Sequence, residues 1–452
     1  MGKPMLRNFA KYVSLNILGM LGLSCYILAD TFFVAKVLGA NGLAALNLSI
    51  SIYSVIHGIG LMIGIGGATR FSILKSQNKD KEAYVVFSTS VKSGIMIGLI
   101  LVIIGLTGSR HLALALGANT FTLPLTNTYL ITILSFAPFF IVNSIILAFV
   151  RNDNNPNLSM IAMLTGSFSN IILDYIFMFP LGMGMFGAAF ATSLAPIISI
   201  CILLSHFIKK KNKFVIIKNK MVWTTIPDIF SLGSSAFIIE ISSAIVLITF
   251  NLVILGLEGN LGVAAYGIVA NLALVVIAVF TGLAQGIQPL TSKYYGLKKY
   301  NMVRKVLKYA LCTSALLAIT IYLGIFLCSD TIVGFFNSEN NASITYMAEI
   351  GLKIYFLGFF FAGTNIVIAM FFSSTEDAKN GFIISISRGM IIIVPLVIVL
   401  SKIWNMKGVW LAFVFTELIV TIIAIYLLTA KRSLLISKLQ KRVSSDSNTS
   451  SS

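Results

Sequence analysis

Long apolar runs, each closed by a short polar or basic stretch, dominate this chain of 452 residues. About 20 apolar residues make a helix long enough to cross the hydrocarbon core of a bilayer. Twelve such runs can be placed, over residues 12–34, 43–68, 84–106, 122–148, 157–179, 186–208, 226–256, 262–289, 303–328, 344–372, 381–403 and 408–430. In lipid every backbone amide must be satisfied internally, so the pattern predicts an all-α polytopic membrane protein with twelve transmembrane helices. Two stretches break the rhythm. Residues 209–224 carry Lys209, Lys210, Lys211, Lys213, Lys218 and Lys220 and divide the runs six and six. Residues 431–452 end in a Ser-rich stretch from Ser444 with too little apolar content to fold, which predicts a disordered tail.

The six-and-six division points to a duplication. Gly60-Leu61-x-x-Gly64-Ile65 recurs 222 residues later as Gly282-Leu283-x-x-Gly286-Ile287, and Asn143 matches Asn365 at the same offset. Met185-x-Gly187-Ala188-Ala189-Phe190-Ala191 resembles Met406-x-Gly408-Val409-Trp410-Leu411-Ala412 at an offset of 221, and Thr31-Phe32 pairs with Thr249-Phe250 at 218. The matches run in chain order across four pairs of spans. They predict two pseudo-symmetric six-helix lobes, residues 1–208 and 225–430, joined by the basic loop 209–224. An even number of spans per lobe gives both lobes one orientation, related by an axis along the membrane normal. That arrangement belongs to transporters that rock two lobes about a central site.

Composition sharpens the reading. The chain is 57% hydrophobic and 11% charged, against about 25% charged in a soluble protein. A net charge of +18 would suit nucleic acid, but its distribution excludes that. With the amino terminus inside, the far side holds only Lys36, Arg110, Lys402 and Lys407. Lys92, Lys353 and Arg388 fall inside spans, and the rest of the 33 Lys and Arg lie in cytoplasmic segments. The bias predicts both termini in the cytoplasm and a basic face toward anionic lipid. Cys25, Cys201, Cys312 and Cys328 all sit in apolar runs with no metal-like spacing and read as small apolar residues. The amino-terminal run lacks a small-residue cleavage signal and reads as a retained first helix.

Polar residues inside the spans carry the candidate chemistry. Asp30 closes the first run. An ionised carboxylate in hydrocarbon costs several kcal/mol, so it marks a functional site unless it merely reaches headgroup water. Asn170 and Asp174, four apart, share one face of an otherwise apolar fifth helix; the bland alternative for Asn170 is an interhelical hydrogen bond. Glu240 interrupts the seventh run with no basic neighbour in sequence. Glu349 and Lys353 are four apart and read as a structural pair, Arg388 and Glu417 are able to pair between the last two spans, and Asp228 reads as solvated. Lys92 and His57 are single polar residues, His57 reading as a satisfied core histidine. The cluster Tyr355, Phe356, Phe359, Phe360 and Phe361, with the 16 Met, either lines a cavity for flat cations or fills helix interfaces. The three His have no paired spacing and no Walker-type loop occurs, so the sequence predicts no zinc site, no cofactor and no enzyme. Transport must draw on an ion gradient or a separate subunit.

Four stretches resemble the multidrug and toxic compound extrusion (MATE) family, the likeness covering nearly all of residues 1–430. They are Asp30-Thr31-Phe32-Phe33-Val34 with Gly39 following; Asn170-x-x-x-Asp174; Gly182-x-Gly184-x-x-Gly187-Ala188-Ala189-Phe190-Ala191-Thr192; and Gly282-x-Ala284-Gln285-Gly286-x-Gln288-Pro289 before Gly296. The resemblance implies a twelve-helix, two-lobe fold of the Gram-positive multidrug exporter branch. In members with an amino-terminal cation site, that site is built from a first-span Asp, a fourth-span Tyr, a fifth-span Asn and Asp, and a sixth-span Thr. The matching positions here are Asp30, Tyr129, Asn170, Asp174 and Thr192, with sodium a possible ion at Asp30, Asn170, Asp174 and Thr192. Other members use a seventh-span Glu, which Glu240 resembles, with an Asp in span ten; residues 361–365 hold no acid, which favours the amino-terminal site. Glu240, Asn143, Asn365, Gln285 and Gln288 are the candidates for substrate or a second cation.

The expectation is a monomeric antiporter in the bacterial plasma membrane. It would exchange a proton or sodium ion for amphipathic, mostly cationic small molecules by alternating access. A lipid-linked oligosaccharide flippase of the same superfamily is the alternative, but it should show an Arg-rich cavity for pyrophosphate. A membrane-embedded transferase would need a catalytic base near the headgroup plane, and the sequence offers no His-Asp pair for one.

Overall fold

A computed structural model describes the backbone of residues 2–217, 222–336 and 341–449, with side chains between Pro4 and Ala430. Lys218, Lys220 and residues 450–452 lie outside it. Within the described residues the chain is helical throughout: α1 (Gly2–Ser76), α2 (Asp80–Ala115), α3 (Leu123–Ser135), α4 (Ala137–Asn152), α5 (Pro156–Met178), α6 (Gly184–Ile208), α7 (Ile226–Gly296), α8 (Tyr300–Phe336), α9 (Ala342–Tyr355), α10 (Phe359–Ser374), α11 (Ala378–Ile386) and α12 (Ile393–Thr449).

Eight helical stretches are long and apolar enough to cross a membrane, and the pair α3–α4, bent by 51°, makes a ninth. Three of the nine hold two spans each. α1 breaks at Gly39 (φ 63, ψ −155), α7 at Gly259 (φ 62, ψ −151), and α12 at Trp404 and Asn405. The first two conformations are open almost only to glycine. Both breaks reverse the chain: Tyr26 and Tyr53, nearly equidistant from Gly39, meet hydroxyl to hydroxyl at 2.6 Å, and Phe250 stacks on Tyr266 across Gly259 at 5.4 Å. Twelve spans result. The bend in the fourth follows from Pro138, which cannot donate to the helical ladder; a 3₁₀ turn at Phe356–Gly358 bends the tenth at the equivalent place.

The duplication is written in the backbone. Left-handed residues occur as pairs at matched turns: Gly39 with Gly259, Asn78 with Lys298, Asn154 with Glu376, and Gly184 with Asn405, at offsets of 220 to 222. The offset of 218 suggested by Thr31-Phe32 and Thr249-Phe250 is therefore two residues short. Along the first and seventh spans the register is 220, and Phe250 is the counterpart of Asp30.

Apolar side chains of α2 and α8, among them Ile103, Leu106, Leu316 and Leu327, point outward, as lipid-facing residues do. Each lobe has its own aromatic core. Phe71, Phe87 and Phe149 surround Phe214 in the first; Phe250, Tyr266, Tyr355, Trp410 and Phe413 form the second. Phe214 comes from the basic loop, which is thus a strap and not a free linker. Lys213 donates its amide to Asp153, and Lys92 reaches the carbonyl of Ile217 at 3.0 Å. At the carboxyl end the helical backbone continues to Thr449, where the composition suggested disorder. Leu434, Leu435, Ile436, Leu439 and Val443 recur at helical spacing there.

The lobes meet along α1 and α7. Added Cβ atoms at Gly66 and Gly233 would lie 1.9 Å from the Ile229 carbonyl oxygen and 1.8 Å from that of Met62, and those at Gly282 and Gly286 would strike the backbone at Ile17 and Val13. These close approaches fall on the side of the bundle that carries the amino terminus. Met5, Phe9, Tyr12 and Val13 pack there against Leu283, Ile287 and Leu290, and Arg70 bridges to Glu376 and Asp228. This half of the seam is shut.

Candidate cation site and interlobe cavity

Asp30, Tyr129, Asn170, Asp174 and Thr192 come from four different spans, Asn170 and Asp174 sharing α5, and all are buried; Asp30 is 6% exposed and Asp174 fully enclosed. The Tyr129 hydroxyl lies within hydrogen-bond reach of Thr192 and within electrostatic reach of both carboxylates, which also sense each other. With its nitrogen turned toward Asp174, the Asn170 amide donates to Asp174 Oδ2 at 3.1 Å and accepts from the Thr192 amide at 3.1 Å. The opposite orientation points its oxygen at an acceptor and leaves only a 3.3 Å bond to Thr192 Oγ1. One oxygen of each acid, Asp30 Oδ1 and Asp174 Oδ1, has no partner, and neither acid forms an ion pair with a basic side chain among the described residues. Two acids, an amide, a hydroxyl and a phenol make a hard, oxygen-rich set suited to a sodium ion or a proton. Among the described residues, no group of three or more His, Cys, Asp or Glu could hold a metal.

One helical turn from Asp30, Tyr26 lines a cavity shared by spans of the first lobe and by Gln285 of α7; Tyr53, His57, Phe140, Asn143, Arg151 and Thr192 also face it. Its volume is about 90 Å³, room for a few waters and far below the roughly 300–1,000 Å³ of a drug site. Taking a drug requires the helices to part.

The remaining candidates divide. Asn143 and Gln285 line the cavity, Asn143 with its Oδ1 unpartnered. Gln288 lies deeper in the seam, donating to Thr69 at 2.8 Å and accepting from Asn152 at 2.8 Å. Asn365 is enclosed in the second lobe, where it donates to the Glu417 carboxylate at 2.7 Å and accepts from Thr421 at 3.0 Å. Both hold helices together, away from the cavity. Glu349 and Lys353 sit 3.8 Å apart, and Tyr355, Phe356 and Phe359 fill the second lobe's core and not a cavity wall.

Two groups escaped the sequence reading. His57 is no isolated core residue: its Nδ1 is 3.3 Å from Glu240 Oε1 across the lobe boundary, and its ring stacks on Tyr53 at 5.9 Å. Arg151, counted among the cytoplasmic Lys and Arg because it follows the fourth run, is buried at the cavity's inner end. Only the close approach of α1, α4 and α7 reveals either.

The MatE family model matches this chain twice, over residues 16–176 and 236–399, once in each lobe. The chain is 26% identical over 408 residues to the multidrug export protein MepA of Staphylococcus saprophyticus subsp. saprophyticus, covering 89% of each chain. It is 27% identical over 387 residues to MepA of Staphylococcus aureus, covering 85% of this chain and 84% of that one. Among solved structures, an outward-facing multidrug resistance MATE family transporter of the MOP superfamily superposes with a TM-score of 0.89 at 22% identity over 96% of each chain. A MOP superfamily transporter from Pyrococcus furiosus gives 0.88 at 22% identity, over 95% of this chain and 96% of that one. The paired lobes, the paired turns and a family model matched once per lobe lead to one conclusion: this multi-pass membrane protein belongs to the MatE family, the multidrug and toxic compound extrusion proteins that its motifs resemble.

Proposed function

We propose that this protein is a cation-coupled antiporter of the bacterial plasma membrane, exporting amphipathic, mostly cationic drugs by alternating access, with both termini cytoplasmic. One observation carries the reading: two enclosed carboxylates share an oxygen-lined site, each with a free oxygen and neither with a basic partner. A charged acid in such surroundings demands a positive partner. In the proposed cycle a proton or sodium ion enters from outside and takes that place. It removes the attraction that Asp30 and Asp174 exert on a cationic drug in the adjoining cavity, and the drug leaves outward. A drug arriving from inside favours loss of the ion by the same competition, since linkage makes the coupling reciprocal. The seam shut at the amino-terminal side is, on this reading, a closed cytoplasmic gate. When one monovalent ion enters for each monovalent drug that leaves, the charges balance and the membrane potential cancels, so the ion's concentration gradient does the work: a pH unit supplies about 1.4 kcal/mol, enough for a tenfold drug gradient.

The test is ethidium efflux from loaded cells, with the proton and sodium gradients collapsed separately. Loss of efflux with one gradient identifies the coupling ion. Efflux that survives collapse of both, or that an abundant Asp30→Asn variant sustains at the wild-type rate, overturns the proposal.

A further inference from the structure

The shut half of the seam closes on a cluster of charge. Arg70, one turn beyond Gly66 on α1, turns Nη1 onto Glu376 Oε1 and brings Nη2 to 3.7 Å from Asp228 Oδ2. The cation belongs to the first lobe and both acids to the second: Asp228 lies in the first turn of α7, and Glu376 in the corner between α10 and α11. Among the described residues, no other Lys or Arg pairs with an acid of the opposite lobe. Arg151 Nη1, which also holds Asn16, crosses to Gln285 Oε1 at 2.8 Å, and Gln288 crosses to Thr69 at 2.8 Å, but these acceptors are neutral.

The duplicated scaffold does not require this cluster. On the register of 220 along the first and seventh spans, the counterpart of Asp228 is Asn8, and Glu376 pairs with Asn154. Asparagine tolerates the left-handed backbone of such a corner, whereas glutamate, held there at φ 56, is strained by it. Only its side chain explains a glutamate in that place. Arg70 and Glu376 are each about a third exposed and Asp228 more than half, so water competes for the same atoms and the pairing can break. The Arg388–Glu417 fork joins two helices of one lobe and is nearly dry, so it stays closed through any movement of the lobes. Arg70 spans the joint itself.

We propose that Arg70, Asp228 and Glu376 form an ionic latch that holds the amino-terminal side of the seam shut and is broken and remade each time the lobes rock. The glycines give the lobes a surface on which to meet, and the latch sets how long they stay together. This rests on the alternating access of the export reading, and on neither its coupling ion nor its cargo.

Salt separates a latch from a packed contact, because it screens ions and does not loosen apolar surfaces. The measured quantity is the rate at which a membrane-impermeant thiol reagent, applied from the amino-terminal side of membranes held without gradients, labels a single cysteine introduced at Ser199 in the cavity. Cys25, Cys201, Cys312 and Cys328 are replaced by alanine throughout. With Arg70 intact, raising potassium chloride from about 0.1 M to about 1 M, which shortens the screening length from about 10 Å to about 3 Å, should speed labelling about threefold. Arg70→Gln should label at least fivefold faster at low salt and no longer respond to salt. Arg70→Glu should label faster still, and Arg70→Glu combined with Glu376→Arg, which again sets one base between two acids, should return to within about threefold of the parent. A parent rate that salt leaves unchanged, an Arg70→Gln rate within twofold of the parent, or an exchanged pair that labels as fast as Arg70→Glu overturns the proposal. The salt response of the parent decides the matter even if no Arg70 variant reaches the membrane. Ion-driven ethidium export that persists through such a result leaves the export reading standing.

Discussion

Phe250 occupies in the second lobe the position that Asp30 occupies in the first: the two stand the same distance before the paired hairpin glycines Gly259 and Gly39. Thr192 changes in the same way. On the register set by Gly184 and Asn405, Thr192 corresponds to Phe413, which stacks on Tyr355 at 4.1 Å. Two polar members of the first lobe's acid site thus have aromatic core residues as their counterparts in the second.

Substitutions at the two positions should therefore fail differently. Asp30→Asn preserves shape and removes charge, so ion-driven ethidium export should drop more than tenfold with thermal stability in detergent little changed. Phe250→Ala opens a cavity in a packed core, at about 3–5 kcal/mol, and should lower the melting temperature while the remaining folded protein keeps its ion dependence. Ion dependence lost in Phe250→Ala but retained in Asp30→Asn would reverse the assignment of the lobes.

Arg388 and Glu417 make a second test. Glu417 is buried, the Arg388 side chain is 9% exposed, and Asn365 donates a further bond to Glu417. Removing one partner of such a pair strands a charge and costs about 3–5 kcal/mol, whereas replacing both by apolar residues is often neutral. Glu417→Gln should therefore unfold at a distinctly lower temperature than wild type, and Arg388→Met combined with Glu417→Leu should recover most of the loss. A double variant less stable than the single one would show the pair to contribute more than mutual neutralisation.

Much of this was legible in the sequence because lipid is an unforgiving solvent. Asp30 and the Asn170–Asp174 pair stand out in apolar runs, where a carboxylate is costly wherever the chain folds. The duplication left paired motifs, and the twelve runs follow from length and hydropathy alone. What stayed hidden depends on how helices from distant parts of the chain meet. Arg151 reads as the end of a span, because nothing local says that Asn16 and Gln285 will close over it. His57 and Glu240 are 183 residues apart. Phe214 sits among lysines, so its burial is invisible to composition. Thr-Phe is a common dipeptide and its spacing of 218 misses the true register of 220 along the first repeat, while Gly39 and Gly259, which fix it, carry no sequence mark beyond being glycine.

The glycines of the seam carry a prediction about conformation. At Gly66 and Gly233 an added Cβ meets backbone, which cannot rotate out of the way. Gly233→Val should leave each lobe folded and prop the seam open on the amino-terminal side. With Cys25, Cys201, Cys312 and Cys328 replaced by alanine, a single cysteine introduced at Ser199 in the cavity reports this directly. Its labelling by a membrane-impermeant thiol reagent applied from the amino-terminal side should speed up at least tenfold in Gly233→Val. An unchanged rate would mean that the seam is not the barrier on that side.

The His57–Glu240 contact predicts opposite effects from its two halves. Glu240 stands at the lobe boundary, about a quarter exposed, and His57 sits between it and Tyr53. If His57 only fills space, Phe in its place should change little, because the stack on Tyr53 survives. If it satisfies Glu240 electrostatically, His57→Phe frees the carboxylate for a cationic ligand, and the KM for ethidium export should fall several-fold. Glu240→Gln removes the attraction and should raise that KM about tenfold, equivalent to about 1.4 kcal/mol. Shifts of the same sign in both variants would mark the contact as packing, and shifts of opposite sign would mark Glu240 as a cation-attracting wall whose strength His57 sets.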